Sequence, residues 1–538
     1  MRVGEDLKLQ KKLDLAFKVL KSKNFKKAKK LFEEAIRINP NLPVAYNILG
    51  NIELNSGSVP KSVEHFQKAV ELNPNFSGAL CNLGLAFKRL KNEKLALNNY
   101  LKAIDVDPKN HIAYFNLGNL YKEKNDLNSA EKFLLKAIDL MPNMLEAYNN
   151  LFELYDKSNQ LNKLNDFLKN TKANLGEIPL LKYFSGIYAY RKKNYLKAIN
   201  ILESTELNHK DFNDNPIKSE ILAQSYDNIG KYDVAYKYFL ESNNIYKNVY
   251  EKKIDQNYYI DYVKKRINFF SSKNFKSWNF INIKNEINDP VFLIGFPRSG
   301  TTLLDSILRS HNSIEVLEEK PLVENFIKKL EHEINSDFSK LENINQSFFY
   351  QMRESYFDDR NKYIKFNRDK IYIDKLPLNI VHIAEIFSFF PNSKFIFALR
   401  NPYDVVLSCF MQYFGANSAM LNFTSLKDTA KLYDLVMSLW LVYFEKFPIK
   451  VYRIKYEQIV QNFDHVITEL LSFLELEWSD NVKEYYKTAE KRGIINTPSY
   501  RQINQPLYNK SIGRWKNYKD EFSEVKHILD KWTKIFNY

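Results

Sequence analysis

The pattern of apolar and polar positions changes character once along the chain. Through the first half, apolar residues recur at helical spacing and small residues mark a fixed period. Pro40, Pro74, Pro108 and Pro142 stand 34 residues apart, as do Ala35, Ala69, Ala103 and Ala137, and also Gly50, Gly84 and Gly118. A second small-residue register runs Ala28, Ser62, Ala96, Ala130, Leu164, Ala198 at the same interval. The pattern predicts two antiparallel helices per unit, with small residues where helices touch and proline after the second helix. Beyond Pro142 it loosens: Phe152 occupies the glycine register, Leu164 the alanine register, and Ala235 follows Ala198 by 37 residues. Degenerate repeats are expected to about residue 246.

The second half alternates short apolar runs with helical patterns. The runs are Val291 to Ile294, Ile314 to Leu317, Ile371 to Asp374, Lys394 to Leu399 and Lys450 to Ile454. Alternation of this kind predicts a parallel sheet covered by helices, with ligands at the carboxyl ends of the strands. Between the halves, an aromatic and lysine-rich stretch reads as a helix or two plus a loop. No Gly/Ser-rich tether appears, so a fixed relation between the halves is expected. The division predicted is a repeat solenoid over 1–246, a helical connector over 247–288 and an α/β domain over 289–538.

The first half resembles the tetratricopeptide repeat, whose stacked helix pairs form a superhelix with a concave face. The resemblance implies either a protein or peptide partner on that face or a scaffolding or dimerising surface. Tyr46, Tyr114 and Tyr148 recur at repeat positions and read as packing. The fold class is therefore multidomain: an all-α superhelix followed by an α/β domain.

Bulk properties narrow the classes. A chain of 538 residues exceeds one ordinary core, and 45% hydrophobic with 27% charged residues is a globular composition. Cys81 and Cys409 are the two cysteines, too few for a disulfide framework or a metal cluster, which fits a reducing compartment. The N-terminus is charged and leads into an amphipathic pattern, so neither a signal peptide nor a membrane span is expected, and the location predicted is cytoplasmic. A formal net charge of +15 raises nucleic acid and anionic membranes as partners. The lysines are interspersed with glutamates and asparagines, however, and form no basic tail, so neither partner is expected.

The chemistry centres on Pro290 to Leu308: an apolar run, a loop with Gly295, Pro297 and Gly300, then a helical pattern. Strand, glycine loop and helix together aim backbone N–H groups at one anion. The spacing is Gly-x4-Gly, but Thr301 and Thr302 follow Gly300, where a nucleoside-triphosphate loop requires Lys then Ser or Thr. Arg298 supplies a cation instead. The string Pro297-Arg-Ser-Gly-Thr-Thr302 resembles the 5'-phosphosulfate loop of sulfotransferases that use 3'-phosphoadenosine 5'-phosphosulfate (PAPS), which implies donor contacts at Arg298, Ser299, Gly300, Thr301 and Thr302. Ala398-Leu-Arg-Asn-Pro-Tyr-Asp-Val-Val-Leu-Ser-Cys409 resembles the segment in which an arginine and a serine eight residues on grip the 3'-phosphate, here Arg400 and Ser408. Gln505 to Tyr518 looks like the closing C-terminal loop, implying roles for Lys510, Ser511, Gly513 and Arg514, with Trp515 as an anchor. Tyr456 matches a nucleotide contact.

The closer resemblance is to tyrosylprotein sulfotransferases and, with the repeats, to bacterial tetratricopeptide-repeat sulfotransferases. It carries the base role to Glu319 of the Glu318-Glu319 pair, a cation role to Lys375 in Asp374-Lys375-Leu-Pro377, and an assisting role to Ser499. It covers roughly residues 289 to 520 and departs in three places. Pro321 and Asn325 stand where the eukaryotic enzymes place arginines that hold acidic peptides, and Gln412 replaces a second arginine near the 3'-phosphate. None of the eight histidines falls in a base motif, and His311 reads as structural. The function implied is PAPS-dependent sulfuryl transfer to an acceptor hydroxyl, protein tyrosine among the acceptors left open, with no metal. Oligomeric state stays open. The rival readings are a repeat scaffold with a nucleotide-binding but inactive second domain, and an ATP-dependent kinase or nucleotidase.

Overall fold

The computed structural model describes residues 2–206, 216–272, 289–491, 507 and 511–538, excluding the side chains of 2–6 and 489–491. The chain forms two compact units, Met1–Phe184 and Ser185–Tyr538. The first is all-helical and built of tetratricopeptide-like helix pairs; the second contains a parallel five-stranded sheet.

In the first unit the periodic residues do what their size allows. Ala28, Ser62, Ala96, Ala130 and Leu164 are fully buried. The helices Phe25–Ile38, Val59–Leu72, Glu93–Val106 and Leu127–Leu140 each stop two residues before Pro40, Pro74, Pro108 and Pro142, where a missing N–H and a fixed φ preclude another turn. Gly84 is required by proximity: a Cβ there would lie 2.7 Å from the Tyr100 ring. Where the glycine register holds Phe152 instead, the ring stacks on Phe184 at 4.6 Å between centroids. The turn inside each pair has its own register: Lys23, Gly57, Lys91, Asn125 and Asn159 all adopt positive φ.

In the second unit β1 (Val291–Gly295), β2 (Ile314–Glu318), β3 (Ile371–Lys375), β4 (Lys394–Leu399) and β5 (Lys450–Lys455) lie in the order β2-β3-β1-β4-β5. Each expected run is a strand, and every strand pair is parallel. Side-chain alternation divides the core in two. Phe292, Ile294, Phe395, Phe397 and Leu399 face one cluster, shared with the Pro402–Phe410 and Leu426–Lys446 helices. Leu293, Ile373, Ile396, Ala398 and Ile454 face the other, shared with Thr301–Arg309 and Phe463–Phe473. The helix Leu426–Lys446 packs ten buried residues into the core, and among the described residues no helix is long and apolar enough to cross a membrane.

The first cluster extends backward in sequence. It includes Ala223, Ala235, Phe239, Val263 and Phe270, from the helices Ile217–Asn228, Tyr232–Tyr250 and Asn257–Ser272. The last helix pair of the repeat-like region thus packs as part of the sheet-bearing unit.

Candidate functional site

Each strand delivers one of the expected residues at its carboxyl end, in the spatial order of the sheet. Glu319 follows β2, Lys375 closes β3, Arg298 lies in the turn after β1, Arg400 follows β4 and Tyr456 follows β5. Strand neighbours are about 4.8 Å apart, so the five form a row along the crevice where open α/β sheets bind ligands.

The turn after β1 is tight. A Cβ at Gly295 would sit 2.7 Å from the Ala398 carbonyl oxygen, which keeps β1 against β4. Gly300, at φ +94°, caps the Thr301–Arg309 helix, and Ser299, Thr301 and Thr302 are buried around it. Arg298 itself adopts φ +69°, an uncommon conformation for a residue with a Cβ and one that collects at functional sites. Its Nε donates to Ser408 Oγ at 2.9 Å.

Arg400 is 8% exposed. It donates to the carbonyls of Arg298 at 3.1 Å and Ser511 at 2.5 Å, and its guanidinium lies 5.2 Å from the Tyr456 ring centre. Its Nε is buried without a hydrogen-bond partner among the described residues. Arg298, Arg400, Ser408, Ser511 and Arg514 line one small recess with Asp404, Leu407 and Met411. Three guanidiniums and two serines make a donor set for a multi-oxygen anion, and the orphaned Nε fits such a group, a phosphate included.

At the other end of the row sits a cation among carboxylates. Lys375 Nζ is fully buried and lies 3.0 Å from Glu319, 3.4 Å from Glu318 and 3.9 Å from Asp305. Burial acts to lower the pKa of its ammonium, but Glu319, Glu318 and Asp305 outweigh it and hold the value above that of an ordinary lysine. Glu319 retains 35% side-chain exposure, adopts φ +48° and donates its N–H to the Lys375 carbonyl at 2.8 Å. Asp305 is also held by Arg309 at 2.9 Å. On the opposite face of β3, Asp374 accepts from the Tyr356 hydroxyl at 2.9 Å. Its burial pushes the carboxyl pKa up to about 7 against the opposing effect of that bond.

Other expected residues stand apart from the row. Ser499 and Lys510 lie outside the described residues. Gly513 is left-handed at φ +69°, and Arg514 pairs with Asp227 through two contacts, at 2.7 and 3.4 Å. Trp515 stacks on Tyr403 at 4.3 Å. Gln412 donates to Glu220 at 3.1 Å, Asn325 donates to Asp359 at 3.2 Å, and Pro321 precedes the helix Leu322–Glu333. His311 is buried, its ring bonded to the Glu477 carbonyl and the Ser313 amide. Sequence reasoning missed Asp305, one helical turn past Thr301, and Asp404, which accepts the Gly513 and Trp515 amides at 2.6 and 3.0 Å. The available signals were the four-residue spacing from Thr301 along one helix and, for Asp404, its place in the first turn of the helix after Arg400. Asp227 offered none.

Residues 290–480 match the model described as Sulfotransferase family. Residues 50–91 and 94–125 match one described as TPR repeat, and 20–42 and 111–144 one described as Tetratricopeptide repeat. An uncharacterized protein of Aquifex aeolicus (strain VF5) is 31% identical over 252 residues, covering 46% of this chain and 33% of that protein. Protein-tyrosine sulfotransferase 1 of Danio rerio is 22% identical over 241 residues, covering 42% of this chain and 65% of that protein. The chain thus spans between a third and two thirds of the length of these relatives. Among solved structures, Pseudomonas aeruginosa pilF is 20% identical with a TM-score of 0.32, covering 39% of this chain and 92% of that one. The type IV pilus biogenesis factor PilW is 19% identical with a TM-score of 0.34, covering 37% and 93%.

Proposed function

From a chain that joins tetratricopeptide repeats to a domain of the sulfotransferase family, we propose a PAPS-dependent enzyme that moves a sulfuryl group to an acceptor hydroxyl. The observation that carries this reading is the row along the strand ends, with an anion recess at one end and a carboxylate gripped by a buried ammonium at the other. Arg298, Arg400, Ser408, Ser511 and Arg514 hold the phosphates of the donor, with Ser299, Gly300, Thr301 and Thr302 at the turn, Tyr456 beside Arg400, and Gly513 and Lys510 in the closing loop. When bound, the donor supplies an activated sulfuryl group on a phosphosulfate linkage.

Glu319 takes the acceptor's proton as the acceptor oxygen bonds to sulfur and the bridging sulfur–oxygen bond breaks. Lys375, assisted by Ser499, offsets the charge gathering on the transferred group and the departing nucleotide. The acceptor is a hydroxyl compound chosen without acidic flanking residues, because Pro321 opens a helix and Asn325 is engaged by Asp359 where the tyrosylprotein enzymes carry arginines. Protein tyrosine is among the candidates by likeness to the Danio rerio enzyme. The repeats supply a surface for a protein or peptide partner.

Calorimetric titration with 3'-phosphoadenosine 5'-phosphate, beside ATP with magnesium and beside Arg400→Ala, tests the donor class. The bisphosphate binds tightly, ATP does not match it, and the variant loses it. A preference for ATP, or no binding at all, removes the proposal.

A further inference from the structure

Resting on the donor reading above, we infer that Asp227 is a positioning residue of the donor site, contributed by a helix outside the sulfotransferase-family match. The helix Ile217–Asn228 presents Glu220, Gln224 and Asp227 at spacings of four and three residues, which places them on one face. All three engage polar partners. Gln224 accepts from Tyr190 at 2.5 Å and donates to Glu220 at 2.8 Å. Glu220, 7% exposed, accepts from Gln412 at 3.1 Å. Asp227 accepts from Arg514 Nε and Nη2 and, at 2.6 Å, from the Tyr518 hydroxyl.

Two positions assigned to the 3'-phosphate side of the donor, Gln412 and Arg514, are therefore both held by acidic residues of this one helix. Arg514 does not spend its whole fork on Asp227, since it also lines the recess with Arg298, Arg400 and Ser408. A planar guanidinium gripped from behind presents its remaining edge in one orientation, which lowers the entropy lost when an anion docks on it. The adjoining helix Tyr232–Tyr250 adds to the clamp. Asn243 donates to the Phe410 carbonyl at 2.9 Å, at the end of the helix that carries Ser408, and Tyr232 meets the Tyr518 ring at 5.5 Å. Asp404 fixes the same loop from the opposite side through the Gly513 and Trp515 amides. Asp227 and Asp404 between them hold the loop that carries Arg514.

The test uses the full chain and the variants Asp227→Ala, Asp227→Asn and Asp227→Glu. Calorimetry compares 3'-phosphoadenosine 5'-phosphate with adenosine 5'-monophosphate, which lacks the 3'-phosphate and relies on the turn at Gly300. Loss of Asp227 weakens the bisphosphate about 10- to 100-fold, the usual effect of removing a group that orients a ligand's direct partner. The monophosphate changes by less than about 3-fold, and Asp227→Glu recovers most of the difference. Asp227→Asn keeps the volume of the side chain and serves if the alanine variant does not fold. A purely structural role weakens both nucleotides alike, and that outcome, or an unchanged bisphosphate affinity, overturns the inference. Hydrogen exchange of the nucleotide-free protein provides an arm independent of the donor: the Gly513 and Trp515 amides exchange faster in the variant. Failure of the wild type to bind the bisphosphate defeats the donor reading by itself. The loop-holding role then stands or falls on the exchange alone, with unchanged protection refuting it.

Discussion

At the scale of single residues, two of the carboxylates near the end of β3, Glu319 and Asp374, are set apart by their neighbours. Glu319 is partly open and touches a cation, which suits a group that must take up a proton and then release it. Replacing it with glutamine keeps the shape and removes the basic oxygen, so turnover on a hydroxyl acceptor falls by ~100- to 10,000-fold, with donor affinity nearly unchanged. Asp374 is fully buried, with Tyr356 and Asn379 within reach. Its folded pKa of about 7 lies above the ordinary carboxylate value, so the folded state holds the proton more tightly than the unfolded chain. The stabilisation is complete below about pH 4 and is lost as pH rises through about 7. In Asp374→Asn that slope disappears. Urea unfolding at pH 5 and pH 8 should find the fall in stability smaller than in the wild type by roughly 2–4 kcal/mol. An identical fall in both proteins would mean that Asp374 ionises in the fold as it does in water.

At the scale of elements, helices and strands were legible wherever a side-chain constraint repeats. The proline and alanine registers marked helix ends and contacts because both residues act through size and φ, which the sequence displays directly. Each expected strand run ends within one residue of the observed strand; β1 and β4, buried on both faces, read as nearly continuous apolar strings. The left-handed turn register was not legible: Lys23 and Lys91 occupy positions where glycine would have signalled positive φ. The row of strand-end residues was readable only through motif resemblance, because no local pattern tells a ligand arginine from an ion-pair arginine. The glycine register makes a prediction about packing between elements. Gly84→Val places carbon where the Tyr100 ring and the Ala96 carbonyl approach to 2.7 and 3.2 Å. Helix Ser77–Arg89 must then move off Glu93–Val106, costing about 1–3 kcal/mol. Denaturant unfolding of the first unit reads that cost, and unchanged stability would show that the helix pair yields freely.

At the scale of the whole molecule, the division by packing differs from the division by periodicity. The helices between 217 and 272 carry the last echoes of the repeat and the connector, yet their apolar residues sit in the core of the sheet-bearing unit. Burying such side chains contributes about 1.5–3 kcal/mol each, so Phe239, Val263 and Phe270 are a large part of that unit's margin. A chain beginning at Ser185 therefore unfolds cooperatively and stays monodisperse, whereas one beginning at Asp289 exposes the vacated face and aggregates. Size-exclusion chromatography and thermal unfolding distinguish the two, and equal behaviour would show that the three helices are dispensable.

The same continuity bears on how such chains can diversify. Units of the period lying before Phe184 can be duplicated, deleted or exchanged without opening the core of Ser185–Tyr538. The final helix pair has no such freedom, because Asp227 and Asn243 are tied to side chains and carbonyls nearly three hundred and nearly one hundred and seventy positions further along. Recombination can edit the number of repeats from one end only, and a lineage that lengthens or shortens its array should keep that last pair as an heirloom of the sheet-bearing unit.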